Sequence, residues 1–419
     1  MHVLLVSSNT ERISMVAIPL GLGMVAAATR RAGHEVTFLD LVAEADPVAA
    51  VHRAIDAFAP DVIGISVRNI DDQTREAPRF LLSQVKPVVE ACHASTHAPV
   101  VLGGTGFSIF PAAALGFLGA DYGVAGEGES AFPALIACLE EGRDPSGSPG
   151  IHVAGRASAL EPSFTDDLTS LPQWDEALRA VANPGSEDLW IPVQSRRGCP
   201  NDCSYCSTAR IQGRRIRTRR PEDVAEHVAR LAAAGFARFY FVDNSFNIPE
   251  AYALELARLL GNVAPRVTWR CILYPHLVRK ELVLAMAEAG CVEVSLGFES
   301  GNPAVLREMN KRFTPEDVRR VSGLLAAHGI RRIGFLLLGG PGETRESVEE
   351  SLAFASSLNL DALRITVGIR IYPGTRLAKR AIAEKVIAPE DDLLYPRFYL
   401  APALEPWIHE RVAALSVPA

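Results

Sequence analysis

Lysine is scarce in this chain. It supplies 5 of 42 basic residues, which stand against 49 acids in 419 residues for a formal net charge of −7. That balance argues against a general nucleic-acid binder, although an acidic total leaves room for a local basic site. Long apolar runs are also missing. The stretch Met15 to Thr29 is interrupted by Pro19, Gly21 and Gly23 and is too short to cross a bilayer, so no membrane association is expected. The opening Met1-His2-Val3-Leu4-Leu5-Val6 lacks the basic region and cleavage site of a signal peptide and reads as a strand, which predicts a cytoplasmic location. No Gly-x-Gly-x-x-Gly follows that strand and no Walker motif with its lysine occurs, which weighs against nucleotide binding. Seven cysteines, an odd number at low density, do not make a disulfide framework. What is present is bulk: 48% hydrophobic residues over this length can build two or three domain cores.

Three of the cysteines stand together in Arg196-Arg197-Gly198-Cys199-Pro200-Asn201-Asp202-Cys203-Ser204-Tyr205-Cys206. Cys199, Cys203 and Cys206 offer three thiolates to a four-iron cluster that takes four ligands, so one iron stays open to a small molecule. A structural zinc site normally shows a second close pair, and none follows Cys206 at zinc-finger spacing. Tyr205 is the residue type expected to pack beside an adenine. Cys92, Cys138, Cys271 and Cys291 sit in apolar runs and read as buried free thiols. The spacing resembles the signature of radical S-adenosylmethionine (SAM) enzymes.

Residues 1–145 alternate short apolar runs with helical patterns, which predicts a parallel α/β domain of flavodoxin-like (Rossmann-like) order. Strands are expected at Val3–Ser7, Glu35–Leu39, Val62–Val67, Val100–Leu102 and Asp121–Val124. Helices are expected near Pro19–Ala32, Pro47–Phe58, Thr74–His93, Phe110–Leu118 and Ser130–Glu141. In such an order ligands bind at the switch point between the first and third strands. Ser7-Ser8-Asn9-Thr10 and Arg68-Asn69 would face one crevice there, joined by Gly103-Gly104-Thr105-Gly106 and Gly126-Glu127-Gly128-Glu129. Taken alone, each glycine cluster is better read as loop chemistry.

Together with Pro19-Leu20-Gly21-Leu22, Ala32-Gly33-His34-Glu35-Val36 and Asp61 to Ser66, these clusters resemble the cobalamin-binding domain of cobalamin-dependent radical SAM enzymes. The pattern Asp-x-His-x-x-Gly, which supplies an axial histidine in better known cobalamin proteins, is absent among the ten histidines. The resemblance therefore implies cobalamin held His-off. Arg68 either caps the metal without coordinating it, since a guanidinium is a poor ligand, or pairs with Asp71 or Asp72. Arg68-Asn69-Ile70-Asp71 is similar to the subgroup containing tryptophan 2-methyltransferase. As cobalamin contacts the resemblance suggests Ser8, Asn9, Arg68, Asn69, Gly103, Gly104, Thr105, Gly126, Glu127 and Gly128.

Residues 146–190 are rich in proline and glycine and read as a linker. A second series over 191–388 predicts a partial (β/α)6 barrel, with strands at Ile191–Ser195, Arg238–Val242, Val267–Cys271, Val292–Leu296, Arg332–Leu338 and Ala362–Ile369. At the strand ends the family resemblance assigns Asp243 and Asn244 to the SAM amino and carboxylate groups. It assigns Glu299 to ribose or methionine, and places Gly340 in the segment bordering adenine. Glu343 beside it reads as an acid at a helix N-terminus. The dense run Arg210, Arg214, Arg215, Arg217, Arg219 and Arg220 admits cofactor, cobalamin or reductase contacts, or a solvated face; no RNA-binding domain is appended. Residues 389–419 form a short C-terminal segment, expected to lid the site or to pack beneath the barrel.

The resemblance implies a [4Fe-4S] cluster, SAM and cobalamin as cofactors, and an electron donor such as flavodoxin or ferredoxin. Its implied activity is methyl transfer through cobalamin to a carbon of a small-molecule, natural-product substrate. Rearrangement, cyclisation or oxidation with the same cofactors is the alternative, and a cobalamin sensor is the non-enzymatic one.

Overall fold

The computed structural model describes residues 1–11, 18–157, 160–162, 164–173 and 189–415. Six strands form the first sheet: β1 (His2–Ser7), β2 (Glu35–Asp40), β3 (Val62–Ser66), β4 (Val100–Gly103), β5 (Tyr122–Val124) and β6 (Ile151–Val153). Their order is β2-β1-β3-β4-β5-β6, parallel except for β6, so the switch point falls between β1 and β3 as a flavodoxin-like order requires. Successive side chains point to opposite faces. Leu4, Val6, Ile63 and Ile65 enter one packed layer, while Val3, Leu5, Val62 and Val101 enter the other. Both faces are buried, which is why the strands read as continuous apolar runs.

Two elements depart from expectation. The helix predicted from Thr74 begins only at Leu82 and runs to Ser95. Asp72 Oδ1 accepts the amides of Thr74 and Arg79 at 3.1 and 3.2 Å, and Asp71 bridges to Phe80, so local side-chain bonds outcompete the helix. Pro78 adds to this by disfavouring helical geometry in the residue before it. Strand β6 falls inside the segment read as a linker. Gly150 (φ 73°) turns the chain back onto the sheet edge and Ile151 is buried there, so the first sheet extends past residue 145. Residues 158–159, 163 and 174–188 of that segment lie outside the described residues.

The second sheet holds β7 (Ile191–Val193), β10 (Arg238–Phe241), β11 (Thr268–Leu273), β12 (Cys291–Glu299), β13 (Arg331–Leu338) and β14 (Ala362–Val367). They are parallel and lie in chain order, an open partial barrel with β7 and β14 as its edges. A two-stranded clasp, β8 (Arg196–Arg197) against β9 (Arg217–Thr218), closes the base of the cysteine loop. The last strand breaks at Gly368 (φ 79°), after which β15 (Ile369–Arg370) pairs with β16 (Phe398–Tyr399).

The C-terminal segment is neither a base under the barrel nor a free lid. Ala401 N–H donates to Gly339 O at the carboxyl end of β13. Tyr395 packs on Phe80 with ring centroids 4.4 Å apart, and Arg75 pairs with Glu405, so the segment straps the barrel to the first domain. Among the described residues no helix is long and apolar enough to cross a membrane.

Candidate active site

The β8–β9 clasp holds the cysteine loop by its backbone. Gly198 N–H donates to Gln212 Oε1 at 3.2 Å and Cys199 N–H to Gly213 O at 3.1 Å. Cys199, Cys203 and Cys206 line one cavity of about 540 Å³ at the carboxyl ends of the barrel strands. No fourth thiol and no imidazole lines it among the described residues. Three sulfur donors fall short of the four of a closed zinc site and suit a cluster with one open iron. Burial pushes the Cys199 and Cys203 thiols up, so iron has to displace their protons on binding.

Tyr205 and Glu299 meet in this cavity through a residue that the sequence reading missed. Lys311 Nζ donates to Tyr205 Oη at 2.9 Å and to Glu299 Oε1 at 3.1 Å, and Tyr205 Oη donates to the same carboxylate oxygen at 3.0 Å. Burial works against the Lys311 charge, but Glu299, Tyr205 and Cys203 outweigh it and hold the ammonium pKa well above its ordinary value. Glu299 Oε2 makes no hydrogen bond among the described residues and remains available to a ligand. A register shift between Gly297 and Glu299, with Glu299 at φ 63°, turns this carboxylate into the cavity. Lysine's rarity here was the one available signal: Lys311 is the lysine with a 5% exposed side chain.

Other expected SAM contacts separate. Asn244 lines the cavity, and its Nδ2 donates to Gln212 Oε1 at 2.7 Å. Asp243 does not line it. Its buried carboxylate accepts from Ser195 N–H and Arg196 N–H at 2.9 and 3.1 Å, tying β10 to the chain leaving β7. Gly340 and Glu343 also lie outside the lining. Glu343 Oε2 accepts the amides of Gly339 and Gly340 at 2.6 and 2.8 Å, while Oε1 is buried without a partner among the described residues.

Burial pushes the Glu343 carboxyl up to about 7, against the lowering effect of those two amides. A carboxyl whose folded pKa exceeds its unfolded value gives most stability below the unfolded pKa and loses it as pH rises toward the folded one. Glu343→Gln removes that titration. Relative to the parent, the variant is expected to gain roughly 2–3 kcal/mol between pH 5 and pH 8, read from urea unfolding at both values. A constant difference would refute the assignment.

A second cavity of about 350 Å³ opens at the switch point between the sheets. Ser7, Asn9, Arg68, Gly103, Gly104, Thr105, Gly126, Glu127 and Gly128 line it from the first domain; Gln194, Arg197, Ile211 and Gln212 face them from the second. Ser8 and Asn69 do not line it. Ser8 Oγ donates to Ser66 O at 2.8 Å, and Asn69 is exposed. Among the described residues nothing lies within 4 Å of a Cβ built on Gly21, and such a Cβ on Gly103 would meet only Val124 O at 3.7 Å. That open backbone leaves room for a ligand to approach closely. Gly104 differs: at φ 96° its Cβ would stand 2.6 Å from Val67 O, so the turn itself requires glycine.

Arg68 makes no ion pair among the described residues, and the alternative pairing with Asp71 or Asp72 is not seen. Asp71 pairs instead with Arg370 at 2.8 Å. Desolvation lowers the Arg68 guanidinium pKa, with Tyr240 opposing, although the residue as a whole is exposed; it lines the crevice. No histidine lines this cavity among the described residues.

Buried ion pairs join the two domains at the crevice floor. Arg197 donates to both oxygens of Glu129, and Arg217 Nη1 donates to Glu127 Oε1 at 2.6 Å. Glu127 therefore serves the domain interface as well as the crevice wall. The arginine run divides by partner: Arg217 goes to Glu127, Arg219 to the carbonyl oxygens of Leu171 and Pro172, Arg220 to Asp223 and Arg215 to Asp166.

The geometry agrees with comparisons to known proteins. Residues 8–136 match the B12 binding domain and residues 193–355 match the Radical SAM superfamily. An uncharacterized methyltransferase of Pyrococcus horikoshii is 27% identical over 399 residues, covering 92% of this chain and 84% of the relative. The tryptophan 2-C-methyltransferase of Streptomyces laurentii is 24% identical over 443 residues, covering 90% and 74%. The radical SAM methyltransferase TsrM of Kitasatospora setae, solved with tryptophan and aza-SAM bound, superposes with a TM-score of 0.86 at 25% identity, over 98% of this chain and 88% of that one. Both domains are thus matched in order along one polypeptide whose fold is shared from end to end, and the chain belongs to the cobalamin-dependent radical SAM enzymes, the family of these methyltransferases.

Proposed function

We propose that this enzyme moves a methyl group from SAM, by way of cobalamin, to a carbon of a small-molecule substrate. One observation carries the reading: the cysteine cavity and the switch-point cavity adjoin, and an amide hydrogen bond links their walls. Gln212 lines the second and Asn244 the first, 2.7 Å apart. When bound, the cluster supplies an electron for breaking a C–S bond of SAM and cobalamin supplies a methyl carrier.

The chain's own groups then hold and orient. Cys199, Cys203 and Cys206 are the three cluster ligands. Glu299, fixed through one oxygen by Lys311 and Tyr205, offers the other to hydroxyl or amino groups of SAM, and Asn244 adds an amide at the adjoining wall. The crevice would hold cobalamin with no imidazole among its described lining residues, and Arg68 would offer it a cation that cannot coordinate cobalt.

SAM carrying a deuterated methyl group tests this. Incubation of the reduced holoenzyme with candidate small molecules is expected to give product heavier by the labelled methyl. Product formed without label, together with 5′-deoxyadenosine, would establish the non-methylating alternative instead. SAM that binds but is never turned over would establish the sensor. Arg68→Ala is expected to slow label transfer about tenfold or more and to change the visible spectrum of bound cobalamin, the loss of one positioning contact near a reacting centre. A spectrum and rate within twofold of the parent would remove Arg68 from this role.

A further inference from the structure

The inner face of the barrel carries side chains that the cofactor sites leave unused. Gly297 lines the cysteine cavity, and a Cβ built on it would stand 3.0 Å from Glu299 Oε1, which marks the side of the sheet that faces the cavity. In the parallel register Gly297 lies beside Phe335 of β13, and Phe335 beside Arg364 of β14, so the three form one row on that side. The other side is the packed one: a Cβ on Gly334 would run into Leu360 and Phe298, and Leu336 and Leu338 are buried there. Phe335 is 38% exposed, whereas Phe239, Phe241 and Phe298 of the same sheet are 0% exposed. Arg364 is exposed as well and makes no ion pair or hydrogen bond among the described residues. Neither residue lines the cysteine cavity or the switch-point cavity.

Neighbouring strands stand about 4.8 Å apart, so the Arg364 backbone lies about 10 Å from Gly297 with Phe335 between them. Ile333 and Leu337 flank Phe335 on the same face of its strand. An apolar floor that starts beside the SAM cavity and ends at one cation has the build of a small-molecule site, oriented by a single polar group. Charge narrows the ligand. Glu293, on this face, is shared by Arg270 and Arg331 at 3.5 and 3.7 Å, and Glu299 is held by Lys311 and assigned to SAM. No acid is left for a substrate ammonium, while Arg364 is left for an anion. We propose that this face is the substrate site, and that the substrate is a carboxylic acid with an apolar body and no charged amine. Its body lies on Phe335, and its carboxylate pairs with the Arg364 guanidinium, whose planar fork can hold both oxygens. The proposal rests on the reading of the protein as a methyltransferase of small molecules.

Equilibrium dialysis of the holoenzyme, with S-adenosylhomocysteine present to fill the cysteine cavity, tests this with probes that share one body: naphthylpropionate, naphthylpropanol and naphthylalanine. The parent is expected to bind the acid about tenfold or more tightly than either the alcohol or the amino acid. Arg364→Gln should weaken the acid about tenfold or more and leave the alcohol within twofold, a selectivity that a general loss of fold does not produce. Phe335→Ala should weaken acid and alcohol alike, by about fivefold or more. Acid and alcohol bound equally by the parent, or weakened equally by Arg364→Gln, overturn the proposal. An amino acid bound as tightly as the acid overturns the substrate class, and a parent that binds none of the probes overturns the site. The labelled-methyl assay reads the underlying function separately. Acid binding that depends on Arg364, in an enzyme that never transfers label, would refute methyl transfer and leave the binding site standing. Label transferred to a substrate without an acid group would refute the site and leave methyl transfer standing.

Discussion

Gly198→Ala is expected to leave a folded first domain that binds cobalamin on a chain that takes up about a tenth or less of the parent's iron. Gly198 joins strand β8 to Cys199 at φ 93°, a region where an L side chain costs about 1–2 kcal/mol. Sterics add far more. A Cβ there would stand 2.0 Å from Arg215 O and 2.8 Å from its carbonyl carbon, both backbone atoms that no rotamer change can move. The loop must open by more than an ångström to accept it. Opening pulls Gly198 N–H from Gln212 and Cys199 N–H from Gly213, the two bonds that set the first thiol relative to the other two. Iron content and the visible absorbance of the anaerobically reconstituted protein give the readout. Gly116→Ala is the control: that glycine is helical with nothing among the described residues within 4 Å of a built Cβ, so alanine there should be neutral or stabilising by about 0.5–1 kcal/mol. Full iron loading in Gly198→Ala would show that the loop does not need this geometry.

The same loop shows where sequence reading succeeds and where it stops. The three cysteines, the apolar runs of both sheets and the switch point are local or periodic features, and periodicity is carried by a dozen residues at a time. Partnerships across the chain leave no such trace. Asp243 follows a strand like a ligand-binding acid, yet Ser195 and Arg196, 48 and 47 residues away, already satisfy it. Gln212 stands 14 residues from Gly198 and 32 from Asn244, and only the closed β8–β9 clasp brings all three together. Strand β6 was hidden for a related reason: three residues between glycines carry too little pattern to be told from a linker. The arginine run was visible as charge, but its division into interface, capping and rim residues depends on acids as remote as Glu127 and Asp202.

Arg197→Ala is expected to cost about 3–5 kcal/mol of stability, because it strips the partner from a buried charge. Arg197 is paired with Glu129 through both guanidinium nitrogens, lies 3.3 Å from Glu127 and donates to Gln194 Oε1 at 2.7 Å. The side chains of Arg197 and Glu129 are 8% and 3% exposed. Burial alone would raise the Glu129 carboxyl. Arg197, the hydrogen bonds and Arg219 outweigh it and hold that pKa below the ordinary carboxylate range. A carboxyl depressed in this way stabilises the parent above the unfolded pKa, and the contribution fades as pH falls through the folded value. Without Arg197 the sign reverses. Burial then raises Glu129 above its unfolded pKa, so folding of the variant requires a proton that is harder to obtain as pH rises. The variant's deficit should therefore be larger at pH 8 than at pH 5, while Glu127 keeps its pairing with Arg217 at 2.6 Å in both. Arg197→Met combined with Glu129→Gln removes both charges and should recover most of the loss, since replacing a buried pair by uncharged groups is often near neutral. Urea unfolding of the single and double variants at the two pH values decides it. A deficit independent of pH, or a double variant no better than the single one, would mean that Arg197 acts by packing and that the domains are not joined through its charge.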